Sequence, residues 1–165
     1  MFIGHKDQRA RGGCFDQRIN LELRALGQLA QFRKKVVLFV GENFSSRQMK
    51  IHESHVGRQL SSCLDQVPCS VLEQLVIAYQ PLWDTPETID ATPKQVQDMT
   101  VFIRAKIQEI ASKLGDDIEI SVPVIFSGSV SPKNAADLIL HVDGFVLNRT
   151  SHYLVDIVDI AKAVN

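Results

Sequence analysis

Short, continuous apolar runs alternate along this chain with longer segments whose apolar residues recur every three to four positions. Residues 36–40 (VVLFV) are apolar throughout and residues 71–79 are apolar except for Glu73 and Gln74, which is typical of strands buried on both faces. Residues 15–32 instead place leucines and other apolar side chains at helical spacing. The pattern therefore predicts buried strands separated by amphipathic helices.

The same reasoning assigns the rest of the chain. Thr92, Pro93 and Gln95 form a helix start with a capping box, and Gly115 ends that helix. The predicted strands are residues 1–4, 36–40, 71–79, 122–128 and 144–148, and the predicted helices are 15–32, 47–66, 93–114, 131–141 and 151–164. Strict alternation favours parallel strands joined by right-handed crossovers. Periodicity alone allows either an open doubly wound sheet or about five parallel β/α units of a barrel.

Composition narrows the class of protein. The 165 residues, 45% of them hydrophobic, fit a single domain over 1–165. A net charge of −1 gives no basic face for nucleic acid, and the apolar runs fall short of the roughly 20 residues that cross a bilayer. Three cysteines without zinc or redox spacing, and no apolar leader before them, predict a reducing, cytoplasmic setting.

Polar residues follow each predicted strand. Because parallel strands end at one face, these residues are expected to gather into a candidate site. They are His5, Lys6, Asp7, Gly41, Glu42, Asn43, Gln80, Ser127, Gly128, Ser129, Asn148, Arg149 and Thr150.

Some of these positions also have a plainer interpretation. Gly128 and Ser129 precede a helix start and could bind an anion, or simply form a tight turn. His5 could polarise a carbonyl or be a surface histidine, and Glu42 could hold a loop. His52 and His55 lack further ligands in register, which predicts a solvated helix face and no metal site.

Six stretches, taken in order, resemble the triosephosphate isomerase family. They are FIGHKDQR, FVGEN, VIAYQPLW, ATPKQVQDMTVFIR, VIFSGSVSPKNAADL and DGFVL. The resemblance implies an eight-stranded (β/α) barrel, a fold of about 250 residues. This chain would start at the fourth strand, giving a partial TIM barrel that lacks the first three β/α units and the asparagine and lysine the family carries there.

The resemblance also implies catalytic roles. In the family a glutamate after the sixth strand moves the proton and a neutral histidine after the fourth polarises the substrate carbonyl, a pair that serves as a standard case of tuned acids and bases. His5 matches the histidine, whereas Gln80 stands at the glutamate position. An amide has no site that titrates near pH 7, so the proton transfer loses its base. Asp7 and Glu42 are expected to hold these residues in place without contacting the substrate themselves.

The phosphate-binding parts depart from the family pattern as well. Both glycines of the family's lid tip are absent here. The lid would comprise Pro81, Leu82, Trp83, Asp84, Thr85, Pro86, Glu87, Thr88, Ile89, Asp90 and Ala91. Asn148 and Arg149 replace a glycine pair, while Gly128 and Ser129 retain the family's phosphate-binding sequence. Arg149 could bind a phosphate or block its pocket.

These departures predict a triosephosphate isomerase-like protein that is weakly active or inactive. It would need no cofactor or metal, would bind at most a small sugar phosphate, and would form a homo-oligomer or recruit a partner to cover its open barrel edges. An active glycolytic isomerase and a non-catalytic self-associating scaffold or sugar-phosphate-binding protein are the alternatives.

Overall fold

A computed structural model describes residues 1–9, 15–29, 34–84, 90–115, 119–147 and 154–164 of the chain. Strands and helices follow one another in the predicted alternation. In chain order they are β1 (Phe2–Ile3), α1 (Lys6–Arg9), α2 (Phe15–Gly27), β2 (Val36–Val40), α3 (Phe44–Gln48), α4 (His52–Leu64), α5 (Cys69–Leu72), β3 (Leu75–Tyr79), α6 (Pro93–Ser112), β4 (Val124–Phe126), α7 (Ala135–Leu138) and α8 (Leu154–Ala163).

The four strands form one parallel sheet in the order β1-β2-β3-β4. Neighbours in the sheet are therefore also neighbours along the chain. A doubly wound sheet reverses its strand order at a switch point, and this sheet does not. The architecture is that of a partial (β/α) barrel, which confirms the expected fold class.

The core lies between the sheet and helices α2, α4 and α6. Leu38 and Ile77 from the strands are fully buried, as are Leu23, Leu60 and Ile103 from the helices. Burying each such side chain contributes about 1.5–3 kcal/mol. The strands are consequently held in place, and their carboxyl ends form a stable base for any site.

Local signals predicted two elements accurately. Strand β2 has the predicted bounds. Helix α6 begins with the predicted capping box, in which the Thr92 side chain accepts from the Gln95 backbone and the Gln95 side chain accepts from the Thr92 N–H at 2.9 Å. These devices depend only on residues that are adjacent in sequence.

Three predicted elements need correction. The single helix expected over 47–66 is two helices, α3 and α4, because Lys50 between them has a positive φ of 56°. The strand expected over 71–79 starts at Leu75, since residues 69–72 coil into α5 with the Leu72 N–H bonded to the Pro68 carbonyl at 3.1 Å. The helix expected over 131–141 is reduced to the four residues of α7.

The expected fifth strand, over 144–148, is also wrong for the residues that the structure describes. There Phe145 makes only an isolated parallel bridge to Phe126, while Asn148 lies outside the described part. None of the described helices is long and apolar enough to cross a membrane. The described residues likewise contain no group of three side chains placed to hold a metal ion.

Candidate functional site

The carboxyl ends of the strands gather the polar residues that the sequence singled out. His5 follows β1, Glu42 follows β2, Gln80 follows β3 and Ser129 follows β4. Strands β2, β3 and β4 pair through their last residues, so the segments that follow them leave the sheet at one level. We call this set of strand-end residues the rim.

His5 and Gln80 are in direct contact although they are 75 positions apart. Gln80 Nε2 lies 3.2 Å from His5 Nε2. The amide oxygen of Gln80 accepts from the Lys6 N–H at 3.3 Å. Gln80 is only 5% exposed, so both hydrogen bonds are largely shielded from water.

The Gln80 contact indicates which ring nitrogen carries the proton when His5 is neutral. Because the Lys6 N–H faces the amide oxygen, the Gln80 amide nitrogen faces His5, and an amide nitrogen only donates. His5 Nε2 must then accept, which leaves the ring proton on Nδ1, 3.4 Å from an Asp7 carboxylate oxygen. The Asp7 N–H also points at Nδ1 at 3.4 Å and favours the opposite tautomer, but this contact is longer than the Gln80 contact. Asp7 itself is exposed.

Glu42 is completely buried and lies at the centre of a hydrogen-bond cluster. Its carboxylate accepts from Arg47 Nε at 3.0 Å and Nη2 at 2.6 Å, from the Tyr79 hydroxyl at 3.1 Å and from Trp83 Nε1 at 2.8 Å. Burial, together with the Glu42 charge, raises the pKa of Tyr79 well above its ordinary value. Since the carboxylate is buried and these hydrogen-bond donors all belong to the chain, Glu42 holds Arg47, Tyr79 and Trp83 together at the rim.

The same cluster anchors the start of the predicted lid. The backbone carbonyl of Glu42 accepts from the Leu82 N–H at 2.9 Å, and the Arg47 guanidinium stacks on the Trp83 ring at 5.2 Å. Of the remaining predicted lid residues, the structure describes Pro81, Asp84, Asp90 and Ala91, whereas Thr85, Pro86, Glu87, Thr88 and Ile89 lie outside the described residues. The described lid start is thus packed down against the rim.

The predicted phosphate element has an acidic neighbour. The Ser129 N–H donates to Asp84 Oδ1 at 3.2 Å. Asp84 is buried, and burial raises the pKa of its carboxyl group against weaker opposing contributions from Ser129 and the Ala91 backbone. The other two predicted phosphate residues, Asn148 and Arg149, lie outside the described part of the chain.

Sequence reasoning missed a second polar cluster behind the rim. Gln59 brackets Gly41, accepting from its N–H at 2.9 Å and donating to its carbonyl at 3.1 Å. The Gln59 amide nitrogen also lies 3.2 Å from His55 Nε2, and Ser46 Oγ lies 3.1 Å from His55 Nδ1. The expectation that His55 belongs to a solvated face is wrong, because both of its ring nitrogens lie within hydrogen-bonding distance of other side chains.

Gly41 explains why this cluster matters for the rim. A Cβ at Gly41 would lie 1.8 Å from the Gln80 carbonyl oxygen, so only glycine permits the two strand ends to approach this closely. Gln59 therefore holds the backbone against which Gln80 packs. The available signal in the sequence was a polar residue on the helix that follows a strand-end glycine. That signal does not identify the group to which the polar side chain bonds.

Comparison with known proteins is consistent with this geometry. A sequence model of triosephosphate isomerase matches residues 1–164. The triosephosphate isomerase of Cupriavidus necator is 31% identical over 166 residues, covering 99% of this chain and 64% of the relative. That of Dechloromonas aromatica is 29% identical over 167 residues, covering 100% and 64%.

The match extends along the whole chain but not along the whole relative. The triosephosphate isomerase of Nitrosomonas eutropha, 30% identical over 166 residues, is likewise covered over 63% of its length. The chain therefore spans slightly less than two thirds of these curated relatives. A family match of this extent, on a parallel sheet whose strand ends bring the predicted histidine and glutamine together, shows that the chain belongs to the triosephosphate isomerase family.

Proposed function

We propose that this chain is a triosephosphate isomerase-like protein that interconverts dihydroxyacetone phosphate and glyceraldehyde 3-phosphate weakly or not at all. The observation that carries the proposal is Gln80, an amide at the base position, in contact with His5 at 3.2 Å. The reaction moves a proton between two carbons of the substrate. That step needs a group that accepts and returns a proton near neutral pH.

Gln80 does not supply such a group. A carboxamide accepts hydrogen bonds but does not take up a proton near pH 7. A positioned general base contributes on the order of 10²- to 10⁴-fold to rate. Losing it lowers turnover by that factor even where substrate binding is preserved.

The Gln80 amide also affects the second catalytic position. Polarising a substrate carbonyl with neutral His5 requires a proton on the ring nitrogen that faces the substrate. With the Gln80 amide nitrogen 3.2 Å from His5 Nε2, that nitrogen carries a lone pair and its proton is on Nδ1. The single replacement of carboxylate by amide thus weakens both the base and the electrophile.

The part of the family that this chain spans supports the same proposal. This chain covers 64% of the length of two relatives that it matches, and the resemblance places the family's asparagine and lysine in the first three β/α units. In the family they bind the substrate phosphate and its developing charge. Residues 1–165 alone therefore offer substrate fewer contacts, and a small sugar phosphate is proposed to bind only weakly.

An active glycolytic isomerase is the second candidate. It is favoured by identities of about 30% to proteins named triosephosphate isomerase. Turnover of the purified chain with glyceraldehyde 3-phosphate, followed in a coupled assay, separates the two candidates. The first predicts turnover well below about 1 s⁻¹, and the second predicts a rate at or above that ordinary enzymatic value.

We also propose that the chain self-associates through its open barrel edge. Strand β1 has only two residues, and Phe2 on it is 65% exposed. Strand edges and exposed apolar side chains of this kind favour pairing with another copy. A dimer or larger species by light scattering at micromolar concentration is expected, and a clean monomer would contradict this proposal.

Cytoplasmic location stays a prediction from the cysteine pattern.

A further inference from the structure

One carboxylate lies where the family sequence pattern places a phosphate contact. Asp84 Oδ1 accepts from the Ser129 N–H at 3.2 Å. Its second oxygen, Oδ2, is buried and has no hydrogen bond of normal geometry among the described residues. The turn therefore already binds an anion, and that anion belongs to the chain itself.

Asp84 is held in this position by the packed start of the lid. Its own N–H donates to the Pro81 carbonyl at 3.2 Å, closing a tight turn. The preceding residue, Trp83, is fixed by its hydrogen bond to Glu42 and by the stacked Arg47 guanidinium. Moving the carboxylate away from Ser129 would require this anchored turn to rearrange.

The carboxylate also fills the space above the glycine of the phosphate element. A Cβ built on Gly128 would lie 2.2 Å from Asp84 Oδ2. The small residue that would let a phosphate oxygen approach the backbone instead accommodates Asp84. An incoming phosphate would compete for the same N–H and meet a like charge at contact distance.

We propose that Asp84 is a specificity-determining residue: an internal anion that occupies the Gly128–Ser129 element and discriminates against phosphate-bearing ligands. The inference rests on the proposed function, because it takes this turn as the phosphate element of a triosephosphate isomerase-like rim. Phosphate monoesters then bind the wild-type chain only by displacing Asp84. Uncharged hydroxycarbonyl compounds do not face that competition.

Burial of Asp84 disfavours its ionised form, and contacts within the turn oppose that effect. Desolvation raises the pKa of its carboxyl group, while Ser129, through its side chain and its backbone, and the Ala91 backbone lower it. Ser129 thus stabilises the ionised form that burial disfavours. Removing the carboxylate leaves the Ser129 N–H free for an external anion.

Titration with inorganic phosphate, at constant ionic strength and followed by amide NMR of the full chain, tests the proposal. Asp84→Ala removes the carboxylate, and Asp84→Asn keeps its shape without the charge. Asp98→Asn is the matched control, since it removes the same charge from an exposed position on helix α6, outside the lid. We expect phosphate to bind Asp84→Ala about tenfold or more tightly than wild type, as loss of competition for a charge-assisted hydrogen bond implies. Asp98→Asn should stay within about twofold, because exposed charges are screened.

The same spectra provide a second readout that needs no ligand. The Ser129 amide proton should shift upfield in Asp84→Ala, partly recover in Asp84→Asn and stay unchanged in Asp98→Asn. Equal phosphate affinity of wild type and Asp84→Ala, including no binding by either, would overturn the proposal, as would an unmoved Ser129 amide. If Asp84→Ala does not fold, Asp84→Asn gives the same two readouts. Neither measurement reads isomerase turnover, so the proposed function stands or fails separately.

Discussion

Restoring a carboxylate at position 80 tests the link between the rim geometry and the weak isomerase activity that we propose. In Gln80→Glu the amide nitrogen becomes an oxygen 3.2 Å from His5 Nε2, with little change in shape. A carboxylate only accepts, so the His5 proton should move from Nδ1 to Nε2. The variant thus supplies a base and reverses the tautomer in one step.

The structure indicates that the new carboxylate can be accommodated. Position 80 is 5% exposed, so ionisation there loses most of its hydration. The Lys6 N–H already points at one side-chain oxygen, and His5 would donate to the other. Hydrogen bonds to charged groups contribute about 1.5–3 kcal/mol each, and two of them offset much of the desolvation.

We expect kcat/KM of Gln80→Glu for glyceraldehyde 3-phosphate to rise by about 10²-fold or more over wild type, the lower end of what a positioned base contributes. Gln80→Ala is the control, because it frees His5 without adding a base and should give no such gain. Ring ¹⁵N shifts of His5 report the tautomer in each protein. A gain below about threefold, in a folded Gln80→Glu protein with the proton on Nε2, would refute the reasoning.

Two further predictions concern the clusters that support the rim. Glu42→Ala leaves the partly buried Arg47 guanidinium without its carboxylate and should lower the free energy of unfolding in urea by about 3–5 kcal/mol. The control Glu109→Ala breaks only exposed ion pairs and should leave the free energy of unfolding nearly unchanged. Similar losses in the two variants would contradict the role assigned to the buried cluster. Burial, then the charge of Arg58, lowers the pKa of His55, so the unfolded chain binds that proton first and the free energy of unfolding should fall as pH drops below about 6.5. His55→Gln should show a shallower decline, and equal slopes in both proteins would contradict the assignment.

The sequence predicted those parts of the fold that depend on neighbouring residues. The Thr92 capping box and the continuous run of β2 are local signals, and both are present. Helix α5 overlaps the segment predicted as strand, because a helix of four residues is too short for its apolar positions to show a helical period. The sequence did not predict that Phe145 makes only a single bridge, because strand pairing depends on partners distant in sequence.

The contacts of the candidate site also separate into those that the sequence predicted and those that it did not. The rule that parallel strands end at one face correctly brought His5 next to Gln80, 75 positions away. It gave no account of the Asp84 carboxylate on the Ser129 N–H, a contact across 45 positions made by a lid segment. Nor did it find His55 against Gln59, because helical spacing shows which residues share a face but not what that face meets.

Turnover of the purified wild-type chain with glyceraldehyde 3-phosphate is the most direct test of the central claim, that an amide at position 80 leaves this family member without its base. The account predicts a rate well below about 1 s⁻¹ at neutral pH and saturating substrate. A wild-type rate at or above about 1 s⁻¹, abolished by His5→Gln, would contradict it and show that proton transfer proceeds without a carboxylate at position 80.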